Sequence, residues 1–202
     1  SPEAVVRART VLHAPGPATV FLSCQALVPG LEVVDVDRAL YVDRSLVKQL
    51  AMRRTLFVFP RDLLASAWPS ASARVARTER ARLAKDVEAA AVSADGAGWV
   101  DEARAAMLAE LSRVPVGRQA AELRAAVPMV DVKVAVAGGV ISLVSRMLTL
   151  LGVEAEIVRG GNAGGWHTSR PRWTRTAHWL DPVPEPAETT DGYRELVRRW
   201  LH

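Results

Sequence analysis

The sequence predicts a mainly α-helical protein with small β-hairpins, arranged as two tandem winged-helix (helix-turn-helix) domains. Twice along the chain, short amphipathic helical stretches lead into runs typical of β-strands. Between them, residues 94–98 are rich in alanine and glycine and predict a domain boundary. We therefore expect four regions, which are a first winged helix at 1–60, a helical connector at 61–94, a second winged helix at 99–180, and a linker with the start of a further helix at 181–202.

The composition excludes several classes of protein. Of the 202 residues, 50% are hydrophobic and 24% are charged, which is the balance of a globular chain with a core. No uncharged apolar run reaches 18 residues, so no membrane span is expected. The single cysteine, Cys24, allows neither an internal disulfide nor a cysteine zinc cluster. We expect a cytoplasmic protein associated with the nucleoid.

In the first unit, the apolar spacing predicts two helices, a short helical segment and then a third, basic helix. The first two end at prolines and glycines, and the short segment has Asp35 as its cap. Lys48 lies in the basic helix expected across 46–52, the Arg53–Arg54 pair follows its end, and a strand is expected at 55–59. The helices expected before it cover 2–12, 17–28 and 35–41.

The connector is expected to be helical over 61–92 with a break at 68–70, and the second unit repeats the first. It should contain three helices, a strand, a flexible glycine-rich loop at 160–165 and a second strand. Gly138-Gly139 should precede the third helix. The final stretch, 191–202, has an apolar side that predicts burial against a missing third domain. The expected helices cover 99–114, 116–127 and 142–151, and the strands 154–159 and 172–176.

Basic residues are unevenly distributed. The net charge is +4 and the pI about 9.8. A GC-rich genome explains the excess of arginine over lysine, but residues 44–61 and 157–180 contain basic residues and no acid. Such segments favour a polyanionic partner, with a solvated surface as the alternative.

The second hairpin gives the strongest binding signal. Arg159, Trp166, Arg170 and Arg172 surround its glycines, and arginine at a hairpin tip can enter a minor groove or hold phosphates. The preceding helix would present Ser142, Ser145 and Arg146 to phosphates. The alternatives are a mobile hairpin and a structural helix with a surface arginine; Arg53 or Arg54 could instead cap a helix end.

Residues for metal or cofactor chemistry are sparse. His167 and His178 lie 11 residues apart with no acid between them, and the glycine-rich loop lacks the lysine and helix of a phosphate-binding loop. We predict no metal and no cofactor.

Several motifs resemble a known bacterial family. They are the stretch from Val42 to Val47, that from Met52 to Pro60, Val158-Arg159-Gly160, and Trp166 to Ser169 with Trp173 and Trp179-Leu180. They are similar to motifs of the tandem winged-helix family that contains the DNA glycosylases for alkylated bases and interstrand crosslinks, the azinomycin-resistance glycosylases among them. The resemblance covers nearly the whole chain.

The resemblance implies a concave, basic surface for double-stranded DNA. Active members carry a Gln-aliphatic-Gln or Gln-aliphatic-Asp motif, which positions water and stabilises the sugar cation as the base leaves. The matching stretch here is His13-Ala14-Pro15. His13 is then the catalytic candidate, but Pro15 has no side-chain acceptor, so the resemblance leaves catalysis open. Family members usually add a third winged helix and a β-barrel.

Three functions follow as hypotheses. The first is a glycosylase-like DNA-binding protein, whose reaction would be N-glycosidic cleavage. The second is a non-catalytic DNA-binding regulator, and the third a winged-helix scaffold for other proteins. Salt dependence of DNA affinity separates the third from the others, because binding to phosphates releases counterions.

Overall fold

A computed structural model describes residues 1–136 and 139–201. The chain is mainly helical with small antiparallel sheets. Gly138 of the expected Gly138-Gly139 turn and His202 at the end of the last expected helix lie outside the described residues. No helix in the described part is long and apolar enough to cross a membrane.

The first part of the chain combines three short helices with a three-stranded sheet. The sheet order is β1-β3-β2, with both pairs antiparallel. Ser1 caps the first helix and accepts from the Ala4 N–H. The elements are α1 (Pro2–Arg7), β1 (Leu12–His13), α2 (Thr19–Leu27), α3 (Val33–Asp37) with a π-helical continuation (Arg38–Val42), β2 (Leu46–Leu50) and β3 (Leu56–Pro60).

The expected third helix at 46–52 is wrong, because this stretch forms strand β2. Leu46, Val47 and Leu50 have a spacing that helices also show, and this spacing misled the prediction. The strand lacks simple alternation because both of its faces are covered, one of them near β6. Gln49, almost fully buried, donates through Nε2 to the carbonyl oxygens of Leu50 and Gly152, at 2.9 and 2.6 Å.

Helical turns and one long helix connect the two halves, as the sequence predicts. The break expected at 68–70 is a π-helical turn (Trp68–Ser72) that keeps the chain helical. The elements are a 3₁₀ turn (Arg61–Leu63), α4 (Leu64–Ala67), the π-helical turn and α5 (Ala73–Ala89).

The second part repeats the sequence of helices followed by a hairpin. Its third helix begins one residue later than expected, and an unforeseen two-stranded sheet precedes it. The elements are α6 (Gly96–Arg113), α7 (Ala120–Ala126), β4 (Lys133–Val136), β5 (Gly139–Ser142), α8 (Leu143–Val153), β6 (Ile157–Asn162), β7 (Pro171–Arg175), α9 (Thr176–Trp179) and α10 (Thr189–Leu201).

One hydrophobic core joins the two parts. It contains Val58 and Leu46 from the first sheet together with Met107 of α6 and Met147 of α8. A smaller cluster lies under α4 and includes Phe59, Leu64 and Val158. Because strands β2 and β6 lie near each other, the loop after β1 comes close to the β6–β7 hairpin, where a cavity forms.

Candidate nucleic-acid interface and its cavity

A cavity of about 230 Å³ lies between the turn that follows β1 and the β6–β7 hairpin. The turn at 14–17, Tyr41, Lys48 and Leu56 line the cavity on the side of the first part of the chain. Hairpin residues complete the lining: Arg159, Gly160, Gly161, Asn162, Trp166, Thr168, Ser169 and Pro171. Among the described residues that line it, none is Asp or Glu.

Lys48 contributes a side-chain amine to the lining of this cavity. The Lys48 Nζ donates to the Tyr41 hydroxyl at 2.7 Å and lies 5.2 and 5.8 Å from the ring centres of Tyr41 and Phe21. Burial, reinforced by the charge of Arg159, lowers the pKa of Lys48 to about 8, and Asp37 only partly opposes this. Burial raises the pKa of Tyr41 to about 12, so its hydroxyl stays protonated at neutral pH.

Arg159 is the second cation. Its guanidinium carbon lies 5.1 Å from the centre of the Trp173 ring, a cation–π contact. The Nε atom is buried and has no hydrogen-bond partner within the described part of the chain. Burial lowers the pKa of this guanidinium as well. Two largely buried cations beside one cavity, with no carboxylate among the described residues that line it, create a site that attracts an anion.

Asn162 forms side-chain hydrogen bonds across the hairpin loop, for which the sequence predicts flexibility. The Asn162 Nδ2 donates to the carbonyl oxygens of Gly164, Gly165 and Thr168, at 2.9–3.1 Å, and its Oδ1 accepts from the Arg170 N–H at 2.9 Å. The side-chain amide thus forms hydrogen bonds with four backbone groups, which have no partner strand in the loop. The part Gly160–Asn162 also belongs to strand β6.

Trp166 anchors this loop to the first half. Its ring lies 5.6 Å from that of Phe21, with a tilt of 54°, and it also lines the cavity. The neighbouring His167 ring packs edge-on at 5.5 Å. An aromatic wall beside two cations suits a ligand with both a flat or apolar part and a negative charge.

His13 does not line the cavity. Its exposed ring packs at 4.9 Å from the Phe57 ring, on the sheet formed by β1 and β3. Ala14 and Pro15, the other two residues of the resembling motif, do line the cavity. His13 ends strand β1, whereas Ala14 and Pro15 belong to the turn that follows it.

The remaining basic residues proposed for DNA binding are dispersed over several elements. Arg53 and Arg54 occupy the turn between β2 and β3, both with positive φ. Arg53 and Arg170 are exposed, and within the described residues neither forms an ion pair. Arg54 Nη1 lies 3.4 Å from Glu79 Oε1.

Of the four other candidates on or near α8 and β7, the two arginines contact residues of the chain. Arg146 is 14% exposed and lies 3.5 Å from both Glu79 and Asp86. Arg172 Nη1 donates to the Gly117 carbonyl at 3.1 Å and lies 3.4 Å from Glu122. Ser142 immediately precedes α8 and Ser145 is exposed in its first turn.

Sequence reasoning selected Lys48, Arg159 and Trp166, and the fold brings these three together. It missed Tyr41 and Asn162, which orient the amine and the loop. Tyr41 lies on a short π-helical turn far from the hairpin in sequence, and no local pattern distinguishes it. Within the described residues no group of three or more His, Cys, Asp or Glu side chains is arranged to hold a metal ion.

Ala14 and Pro15 on one side of the cavity, and Arg159, Gly160 and Trp166 on the other, belong to the stretches that resemble bacterial DNA glycosylases. A family model described as "DNA glycosylase AlkZ-like" matches residues 6–202. The chain therefore belongs to the AlkZ-like DNA glycosylase family. No curated protein and no solved structure matches it.

Proposed function

We propose that this protein binds double-stranded DNA and takes one nucleotide of an alkylated strand into the cavity, as the first step of base excision. The observation that carries this proposal is the cavity itself, which adjoins the Ala14-Pro15 motif positions and contains Lys48 and Arg159 without a lining acid. Its volume lies below the roughly 300 Å³ of pockets for drug-sized ligands, so it suits a single sugar or base.

The proposed architecture is two winged helices. In the first part, the order α1, β1, α2, α3, β2, β3 is helix, strand, two helices and a hairpin. In the second, α6, α7 and α8 precede the hairpin β6–β7. Each unit thus ends in an antiparallel hairpin, and Arg53 and Arg170 sit on the turn or flank of these hairpins. This arrangement supports contacts to phosphates from two wings.

We divide the basic residues by their contacts. Arg53 and Arg170, which form no ion pair within the described residues, bind phosphates along the duplex. Lys48 and Arg159 face the bound nucleotide, with the Trp166 ring beside them. Arg54, Arg146 and Arg172 already bind carboxylates of the chain, and we propose that they position the elements that carry the others. Ser142 and Ser145 remain candidates for phosphate contacts at the start of α8.

Replacing Arg53 and Arg170 by alanine should weaken binding to every duplex alike. Each residue would neutralise about one phosphate, so the slope of log K against log salt should fall by about 2 in magnitude. Fluorescence anisotropy with labelled duplexes at two or more salt concentrations measures this. The double variant Arg194→Ala, Arg198→Ala removes the same charge from α10 and serves as the control. Unchanged affinity and slope in the Arg53/Arg170 variant would contradict the proposal.

A second candidate is binding without excision. It is favoured by the position of His13 outside the cavity and by Pro15, whose side chain cannot orient water. The two candidates differ in release of an N7-alkylated guanine from duplex DNA under single-turnover conditions. Base release supports excision, and tight binding with no release supports the regulator.

A further inference from the structure

We propose that Lys48 is an amine nucleophile, which forms a Schiff base with the C1′ aldehyde of an abasic deoxyribose held in the cavity. This inference rests on the proposed function, because the cavity must first receive a nucleotide. It assigns a reaction to a residue that the His13-Ala14-Pro15 comparison leaves without a role.

Lys48 alone among the three lysines has the surroundings that this chemistry needs. Lys85 on α5 and Lys133 on β4 are exposed to solvent, and only Lys48 lines the cavity. Its Nζ contacts one phenolic hydroxyl and two aromatic rings, and in the described part of the chain it forms no ion pair with a carboxylate. A desolvated amine beside another cation is the usual way in which a lysine becomes nucleophilic.

The neighbouring groups complete the site. A low amine pKa, about 8, leaves an appreciable fraction of Lys48 neutral near physiological pH. The groups that set this charge are Tyr41 and Asp37 on the α3 segment and Arg159 on β6. Arg159, whose Nε has no hydrogen-bond partner among the described residues, provides the positive charge for a phosphate flanking the sugar. Tyr41 is a positioning residue, because its hydroxyl binds Nζ directly.

The reaction balances without an added reactant. The nitrogen lone pair of neutral Lys48 attacks C1′, the carbonyl electrons move to oxygen, and a proton passes from the nitrogen to that oxygen to give a carbinolamine. A proton from solvent then lets this oxygen leave as water, while the nitrogen lone pair forms the C=N bond of the protonated imine. The imine acidifies the C2′ hydrogen; when water takes this proton, the C3′–O3′ bond breaks and the phosphate leaves with the electron pair.

Reductive trapping tests the inference directly. The full chain is incubated with a duplex that carries an abasic site, and borohydride reduces any imine to a stable amine link. We expect a covalent protein–DNA product in the wild-type protein, and peptide mapping should place the link on Lys48 rather than on the Ser1 amine. Lys48→Met and Lys48→Arg should reduce trapping to background, while Lys85→Met traps as well as wild type.

The controls separate the two proposals. Binding to a duplex with a tetrahydrofuran abasic analogue, which has no aldehyde, reports the proposed function alone. Tight binding to the analogue without a trapped product from the aldehyde duplex overturns the Schiff base and leaves the proposed function standing. Failure to bind the analogue overturns both. A link mapped to another amine, or trapping retained in Lys48→Arg with its circular dichroism unchanged, also overturns the assignment; the wild-type map decides it if the variants do not fold.

Discussion

Lys48 and Arg159 show how two residues acquire chemistry that neither has in an unfolded chain. Each is an ordinary cation in the sequence, and the fold places both beside the same cavity. Burial disfavours both charges, and their neighbours Asp37 and Tyr41 compensate that cost only in part. A bound anion would compensate these two buried positive charges, and we therefore take the cavity as the candidate site.

The low pKa of Lys48 predicts a pH-dependent stability. The folded value is about 8, and the ordinary value is 10.5. Between these values the unfolded chain binds a proton that the folded chain lacks, so the free energy of unfolding rises as the pH rises through this window. Ionisation of Tyr41 opposes this only above about pH 10, because its folded pKa is about 12.

Urea unfolding at about pH 8 and about pH 10 measures the effect. Relative to Lys48→Met, the wild-type protein should gain at most about 1.4 kcal/mol per pH unit. Lys85→Met, which removes an exposed amine, should follow the wild-type curve. Parallel curves for wild type and Lys48→Met would show that Lys48 has an ordinary pKa in the folded chain.

Among the elements, the sequence does not predict strand β2 or the contacts within the hairpin loop, because both depend on packing. The long helices and the pair β6–β7 follow from periodicity and turn residues; α6, α8 and β7 lie near the expected bounds, whereas β6 begins and ends three residues later than expected. Strand β2 does not follow from periodicity, because both of its faces are covered and its apolar residues therefore do not alternate with polar ones as in a half-exposed strand. The order in the hairpin loop depends on Asn162, whose contacts span residues that no local pattern connects.

The same contrast applies to the candidate site. Charge and glycine content selected Lys48 and Arg159 separately, since acid-free basic segments are visible in a sequence. Their proximity depends on β2 lying near β6, which is a tertiary contact. The role of Tyr41 follows from its 2.7 Å contact with Lys48, and a sequence does not contain distances.

The contact between α5 and α6 predicts a strict need for glycine at position 96. A Cβ atom at Gly96 would collide with the backbone carbonyl of Ala84 on α5. Gly96→Ala should therefore destabilise the protein by about 1–3 kcal/mol, the usual cost of overpacking. Gly161→Ala is the control, because no atom lies within 4 Å of its Cβ position. Equal midpoints for the two variants in thermal or urea unfolding would contradict this packing.

At the scale of the whole molecule, helix α5 contacts both parts of the chain through Glu79. Glu79, only 5% exposed, lies 3.4 Å from Arg54 of the β2–β3 turn and 3.5 Å from Arg146 of α8. One carboxylate thus neutralises an arginine from each part, and the shared core continues the connection. We infer that the β2–β3 turn and α8 keep a fixed position relative to each other, which the proposed binding of one duplex to both would require.

Glu79→Gln keeps the shape of the side chain and removes its charge. We expect a loss of about 1–3 kcal/mol in the free energy of unfolding, because both arginines lose the charge of their shared carboxylate. The loss should not be larger, because Arg146 retains Asp86 as a partner and Arg54 is half exposed to water. Glu102→Gln, an exposed acid on α6, should change stability little. Since the core and the ion pairs cross between the halves, circular dichroism and tryptophan fluorescence should report one coincident transition in both variants. Two transitions, with only one shifted by Glu79→Gln, would show instead that the halves unfold independently and that α5 does not couple the two proposed DNA-binding wings.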